Sequence, residues 1–212
     1  MGLDSRPALW HSRGVVVFSR GGSRMAKIEV PLAGCLRLLQ PGPVVLLTAQ
    51  YRGRPGVMAA GWLSPASYAP PRVAVAVNPQ NNTHYLISKS QEFIINIPGR
   101  PLAERVAYCG RVSGRDVDKF AQAPLTAVDG RRVTAPWVDE CLAHLECGVV
   151  EAFEVGDHTL FLGEVVGAWA EEEAFDGFWK LEAEELSPLV HLGAEHYARL
   201  CGRFSVEAKR EE

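Results

Sequence analysis

The 212 residues are 47% hydrophobic and 22% charged and carry a formal net charge of -3 at pH 7, an ordinary globular balance that supports one substantial core. That mild acidity argues against a surface built for nucleic acid. No apolar run reaches the roughly 18 residues needed for a membrane-spanning helix, so the expectation is a soluble protein without nucleic-acid or membrane partners.

Five cysteines, Cys35, Cys109, Cys141, Cys147 and Cys201, are odd in number and form no CxxC pair. Reduced thiols in a cytoplasmic protein are the simplest reading. The first 24 residues are basic, with Arg6, Arg13, Arg20 and Arg24 against Asp4. Their apolar run, Gly14 to Phe18, is too short for a secretory signal, and no small-residue cleavage site follows. Residues 1–24 therefore read as a disordered extension, with a folded arm as the alternative, and residues 25–212 as one domain.

In chain order, strands are expected over Pro43 to Gln50, Val57 to Leu63, Arg72 to Asn78 and Glu92 to Ile97. The run "YRGRPG" between the first two is a Gly/Pro turn of hairpin length. A helix is expected from near Thr83 to Ser90, capped by Asn82 or Thr83, and another from Pro101 to Gly110. A long hairpin follows, "LAHLECGVVEAFEV" and "TLFLGEVVGAWA", joined by Gly156-Asp157-His158. In its first arm Ala143, Leu145, Cys147 and Val149 share one face, and His144 and Glu146 the other. Strands outnumber helices, which points to a mainly β fold, an antiparallel barrel with short helices outside it.

The chain lacks a P-loop, a GxGxxG turn after a strand, HExxH and GxSxG. The spacing Cys141-x-x-His144-x-x-Cys147 invites a metal, but strand alternation sends Cys147 and His144 to opposite faces. No metal site is expected. More informative is "VAVAVNPQNNTHYLIS", where a strand runs into a polar row at the start of a helix. Backbone N–H groups there suit a phosphate, with Asn81, Asn82 and Thr83 adding side-chain donors. An ordinary capped loop fits the same residues. In "VMAAGWLSPASYAPP", small residues beside Trp62 leave room for a flat ligand, or for a tryptophan packed in a core.

Several stretches in order resemble the flavin reductase-like, FMN-binding split-barrel family, flavoredoxins most of all. They are the Trp62 stretch ending in Pro70-Pro71, the Thr83 turn, Ser113-Gly114-Arg115 with Asp118-Lys119-Phe120, and Gly156-Asp157-His158 with Phe161 and Gly163-Glu164-Val165. The resemblance runs from about Leu36 to the "SPLVHLGAEHYARL" segment.

It implies a split β-barrel and a cofactor site for FMN formed by Trp62, Ser64, Asn78, Asn81, Asn82, Thr83, Lys119 and Phe161. It also implies NAD(P)H as electron donor, with His158 beside the nicotinamide, and a homodimer. Flavin reduction by hydride transfer is the expected activity, and an electron carrier reduced by a protein partner is the alternative. Two positions depart from the flavoredoxin pattern: Gly56 stands where asparagine is usual, and Ala59 where threonine is usual.

Overall fold

The structure is a computed structural model and describes residues 15–16, 27–28, 31–39 and 41–206. Residues 1–39 and 40–212 form separate units. In the first, β1 (Val15–Val16) pairs antiparallel with β2 (Lys27–Ile28), and a 3-10 helix spans Leu32–Leu39. β1 falls within the segment read as a disordered extension; the rest of residues 1–24 lies outside the described residues.

The second unit begins with β3 (Gly42–Pro43), β4 (Val45–Tyr51), β5 (Arg54–Ala60), β6 (Leu63–Tyr68) and β7 (Pro71–Val77). Helix α1 (Asn82–Ser90) leads into β8 (Glu92–Ile97), and a 3-10 turn at Arg100–Leu102 leads into α2 (Ala103–Arg111) and α3 (Lys119–Gln122). Then come β9 (Ala127–Asp129), β10 (Pro136–Val138), β11 (Ala143–Val155), β12 (His158–Ala170), a 3-10 turn at Glu184–Leu186, β13 (Leu189–Gly193) and β14 (His196–Arg199).

Seven of these strands form one antiparallel sheet in the order β5-β4-β8-β11-β12-β7-β6. Its two edge strands, β5 and β6, are neighbours in the chain, linked only by Gly61 and Trp62. Two residues reach only about 7 Å when extended, so the sheet must curl until its edges nearly meet. The result is a split barrel, with Trp62 at the seam. The strand expected over Val57 to Leu63 is thus two strands turning a corner, and β6 was not foreseen because Pro65 lies within it. Proline is tolerated there because β6 is an edge.

Side chains alternate as a curled sheet requires. Val45, Leu47 and Ala49 of β4 meet Val73, Val75, Val77, Phe93, Ile95, Cys147 and Phe161 inside the barrel, where Leu86 and Ile87 of α1 join them. The opposite face of β4 and β5, with Leu46, Val57 and the preceding Val44, is covered by Leu102, Val106 and Cys109 from the α2 region and Phe120 of α3.

The hairpin turns match the chain. Arg52 and Gly53 both have positive φ, 51° and 72°, which is the type I′ turn whose twist suits paired strands. At the far hairpin Val155 pairs with His158, so the turn is Gly156-Asp157 and His158 already belongs to β12. This long hairpin contains two bulges. Val166 is skipped in β12 between Gly167 and Val165, and Val150 is skipped in β11 between Val149 and Glu151.

The face of β11 that carries His144 and Glu146 is buried too. Glu146 is fully enclosed, and its carboxylate accepts from the backbone N–H of Arg131 (2.7 Å), Arg132 (2.5 Å) and Val133 (3.1 Å) and from Trp137 Nε1 (2.7 Å). His144 stacks on Trp137 with ring centroids 4.3 Å apart, and its Nδ1 donates to Asn96 Oδ1 at 2.8 Å. Cys147 packs inside the barrel instead, so it and His144 do face different ways.

Burial pushes the His144 imidazole down to about 4, an effect that the nearby Glu146 opposes and Arg131 reinforces. Unfolded, the ring regains its ordinary value near 6.5. Between those limits the unfolded chain binds a proton that the folded chain refuses, so stability is complete above about pH 6.5 and declines toward pH 4, by up to roughly 3 kcal/mol. Urea unfolding at about pH 7 and about pH 5 should show this loss, and His144→Phe should flatten it. Equal pH slopes in the two proteins would contradict this account.

Candidate functional site

A cavity of about 920 Å3 opens where the β4–β5 hairpin, α1 and residues 114–120 converge. The local chemistry begins at the end of β7. Asn78 Oδ1 accepts from Gln80 N at 2.9 Å, and Asn78 O accepts from Asn81 N at 3.0 Å, folding the polar row into a turn. Asn81 takes the cap position of α1, earlier than the expected Asn82 or Thr83, yet its side chain makes no capping bond. The first-turn N–H groups of a nine-residue helix therefore have no acceptor from the cap residue, and the helix dipole adds partial positive charge.

Three residues close around one point at this end of the cavity. A Cβ placed on Gly114 would stand 3.5 Å from both Asn82 Cβ and Asn82 Nδ2, and 3.7 Å from Lys119 Cε. Gly56 also borders the space: a Cβ there would lie 2.5 Å from Leu86 Cδ1 and 3.4 Å from Asn82 Nδ2. Where flavoredoxins carry asparagine, this chain has a glycine with the amide of Asn82 beside it. Ala59, the other departure, packs with the α2 cluster.

Lys119 is only 7% exposed and donates from Nζ to Cys109 O at 2.7 Å. Asp118 fixes it by capping α3, its Oδ1 accepting from Phe120 N (3.0 Å) and Ala121 N (3.3 Å). Burial lowers the pKa of the ammonium, while the neighbouring Cys109 acts the other way. Burial also pushes the Cys109 thiol up to about 11, so this neighbour brings no negative charge near neutral pH. An ammonium has three donors, and the one described bond leaves two for a ligand.

A second cluster surrounds the seam. Trp62 is 48% exposed and packs against His158, with centroids 4.7 Å apart and the rings tilted by 32°. His158 Nδ1 donates to Asp157 Oδ1 at 2.7 Å, a bond that holds the Asp157 carboxyl below its ordinary range. The next residue, Thr159, bonds through Oγ1 to His84 Nε2 at 2.8 Å, tying this cluster to the first turn of α1.

The expected site residues thus fall into separate places. Asn82 and Lys119 line the cavity, and Asn78, Asn81 and Thr83 form the adjoining start of α1, with Thr83 buried. Trp62 and His158 pair outside the cavity lining. Phe161 is enclosed in the barrel core beneath His84, ring centroids 5.3 Å apart. Ser64 donates to Pro65 O at 3.0 Å and borders a separate apolar groove. Ala59 and Ala60 pack with the two cores rather than opening space beside the indole.

Sequence reasoning assigned no site role to Arg52, Arg54 or Arg115, although Arg115 stands in the quoted Ser113-Gly114-Arg115 stretch; all three are on the cavity wall. The signal available was the alternation of "RGR" across a two-residue turn.

The donor set suits an organic phosphate: helix amides, one side-chain amide and a buried ammonium. Burying that ammonium costs folding energy, so Lys119→Met should raise stability by about 1 kcal/mol, or roughly 2–4 °C in Tm. A thermal melt that falls instead would show that the lysine is chiefly structural.

Comparison with known proteins agrees with this architecture. Residues 37–200 match the flavin reductase like domain. The chain is 39% identical over 194 residues to the uncharacterized protein YddH of Escherichia coli, covering 89% of this chain and 97% of that one. Among solved structures it is similar to flavoredoxin from Methanosarcina acetivorans, with a TM-score of 0.75, 32% identity and coverage of 86% and 95% of the two chains. An FMN-binding protein from Thermus thermophilus gives a TM-score of 0.75 at 27% identity, covering 87% of this chain and 99% of the other. The split barrel and the matched span agree: this chain belongs to the flavin reductase-like family.

Proposed function

We propose that the chain is an FMN-dependent NAD(P)H:flavin oxidoreductase. The observation that carries this reading is the pairing of an uncapped α1 N-terminus with the buried Lys119 on one cavity. FMN ends in a phosphate of nearly two negative charges, and helix amides alone supply about half a compensating charge. Lys119 adds a full one, and Asn82 adds a neutral donor that fixes orientation.

When bound, FMN supplies the redox chemistry, accepting hydride from a nicotinamide. The chain's own residues then have positioning duties. The α1 amides, Asn82 and Lys119 hold the phosphate end, and Thr83 packs beneath that turn. Trp62 and His158 offer aromatic contact for the ring-bearing end of the ligands. Asp157 holds the His158 Nδ1 proton, leaving Nε2 free to face a nicotinamide amide.

A second reading is an electron carrier reduced by a protein. It is favoured by the exposure of Trp62 and of Tyr68, the latter at 101%, along one sheet edge. A homodimer belongs to either reading, since β6 has a free edge among the described strands and uncovered edges invite pairing. Light scattering is expected to give twice the chain mass.

Purified protein incubated with FMN should turn yellow and bleach promptly when NADH or NADPH is added without oxygen. Bleaching only by a reduced ferredoxin-type protein would select the carrier, and failure to take up FMN would remove both readings. Lys119→Met should weaken FMN binding about tenfold, measured by quenching of flavin fluorescence.

A further inference from the structure

Helix α1 presents polar chemistry on two faces. Asn82, Tyr85 and Leu86, spaced i, i+3 and i+4, line the cavity, whereas His84 is turned the other way, toward β12. Its Nε2 shares a hydrogen bond of 2.8 Å with Thr159 Oγ1, the one side-chain bond between α1 and β12 among the described residues. The ring of Phe161, two residues further along β12, lies 5.3 Å away at 58° and is 1% exposed, so a fixed core side chain holds the imidazole in place. Burial keeps the His84 pKa below its ordinary value, so near neutral pH the ring is uncharged and acts through this bond, not as a cation.

Three chain segments meet around that bond. Thr159 pairs with Val77, the last residue of β7, and the polar turn that delivers α1 starts at the next residue, Asn78. Ala76, one residue earlier, donates from its backbone N–H to Trp62 O at 2.9 Å. Thr159 in turn follows His158 directly, and the His158 ring lies against Trp62. His158 stands one residue beyond the last rung between β7 and β12, paired only with Val155 of β11, so it is held on one side and can follow a movement of Thr159. Neither His84 nor Thr159 lines the cavity.

Resting on the FMN reading, we propose that His84 is a positioning residue: through Thr159 it couples a phosphate seated at the start of α1 to the orientation of His158 against Trp62. His84 belongs to the first turn of α1, so a shift of that turn toward an anion carries the imidazole with it. The hydrogen bond passes the shift to Thr159 and from there to its chain neighbour His158. The phosphate end of a ligand thereby sets the residues offered to its ring-bearing end, and by linkage the coupling acts equally in the reverse direction.

The test is NMR of the flavin-free full chain, with inorganic phosphate as the probe and the Asn82 side-chain amide and the His158 ring as reporters. In the unaltered protein phosphate should shift both signals. Thr159→Val keeps the shape of the side chain and removes its hydroxyl, and His84→Phe keeps a ring against Phe161 and removes the nitrogen. In each variant the Asn82 shift should persist while the His158 shift shrinks by about fivefold or more, and Thr159→Ser should restore it. A His158 shift that survives in both Thr159→Val and His84→Phe overturns the coupling. So does an unaltered protein in which phosphate moves Asn82 and leaves His158 still. Phosphate that moves neither signal removes the anion site at α1, and the FMN reading falls with it.

Discussion

A link of two residues, Gly61 and Trp62, governs this molecule. It joins the opposite edges of a seven-stranded sheet, so the sheet has no option but to close on itself. Closure gives β4 and β8 two buried faces, with Leu46, Leu47, Phe93 and Ile94 all essentially inaccessible. It also explains the run Ala59-Ala60-Gly61: a sharp corner between two packed layers has room for small side chains only. The indole follows the corner directly and is left half in solvent on the seam.

The same closure sets the electrostatics. Helix α1 must follow β7 and pack its Leu86 and Ile87 into the barrel, which fixes where its positive end points. The helices that cover the outside of β4 and β5 deliver Lys119 to the same cavity. Neither an uncapped helix start nor a buried ammonium favours folding by itself. Their coincidence, with Arg52, Arg54 and Arg115 on the same wall, gathers cations and free amides in one place.

Much of the barrel was legible from local pattern. The alternation in β7, the strand β8, the two tight hairpin turns and the start of α1 all follow from period and turn chemistry, and they emerged within a few residues of expectation. What escaped depends on distant partners. Alternation assigns Glu146 to the face opposite Leu145 and Cys147 but does not say what covers that face; the segment from Arg131 to Trp137 folds over it and supplies four donors. The strand β6 escaped because its proline is acceptable only at an edge, and edges are a property of the whole sheet. Lys119 was singled out by family resemblance alone, and the arginines come beside it only once the β4–β5 turn and the 114–120 segment meet.

The two bulges of the long hairpin carry a consequence for sequence change. One lies in each arm, so the offset created at Val166 is cancelled at Val150, and the outermost rungs regain the alignment of the innermost. Because neighbouring residues of a strand point to opposite sides, an unmatched deletion in either arm would invert the hairpin's tip and carry His158 away from Trp62. Chain length here can drift only by compensated steps, one in each arm, which couples two surface valines that never pair with one another.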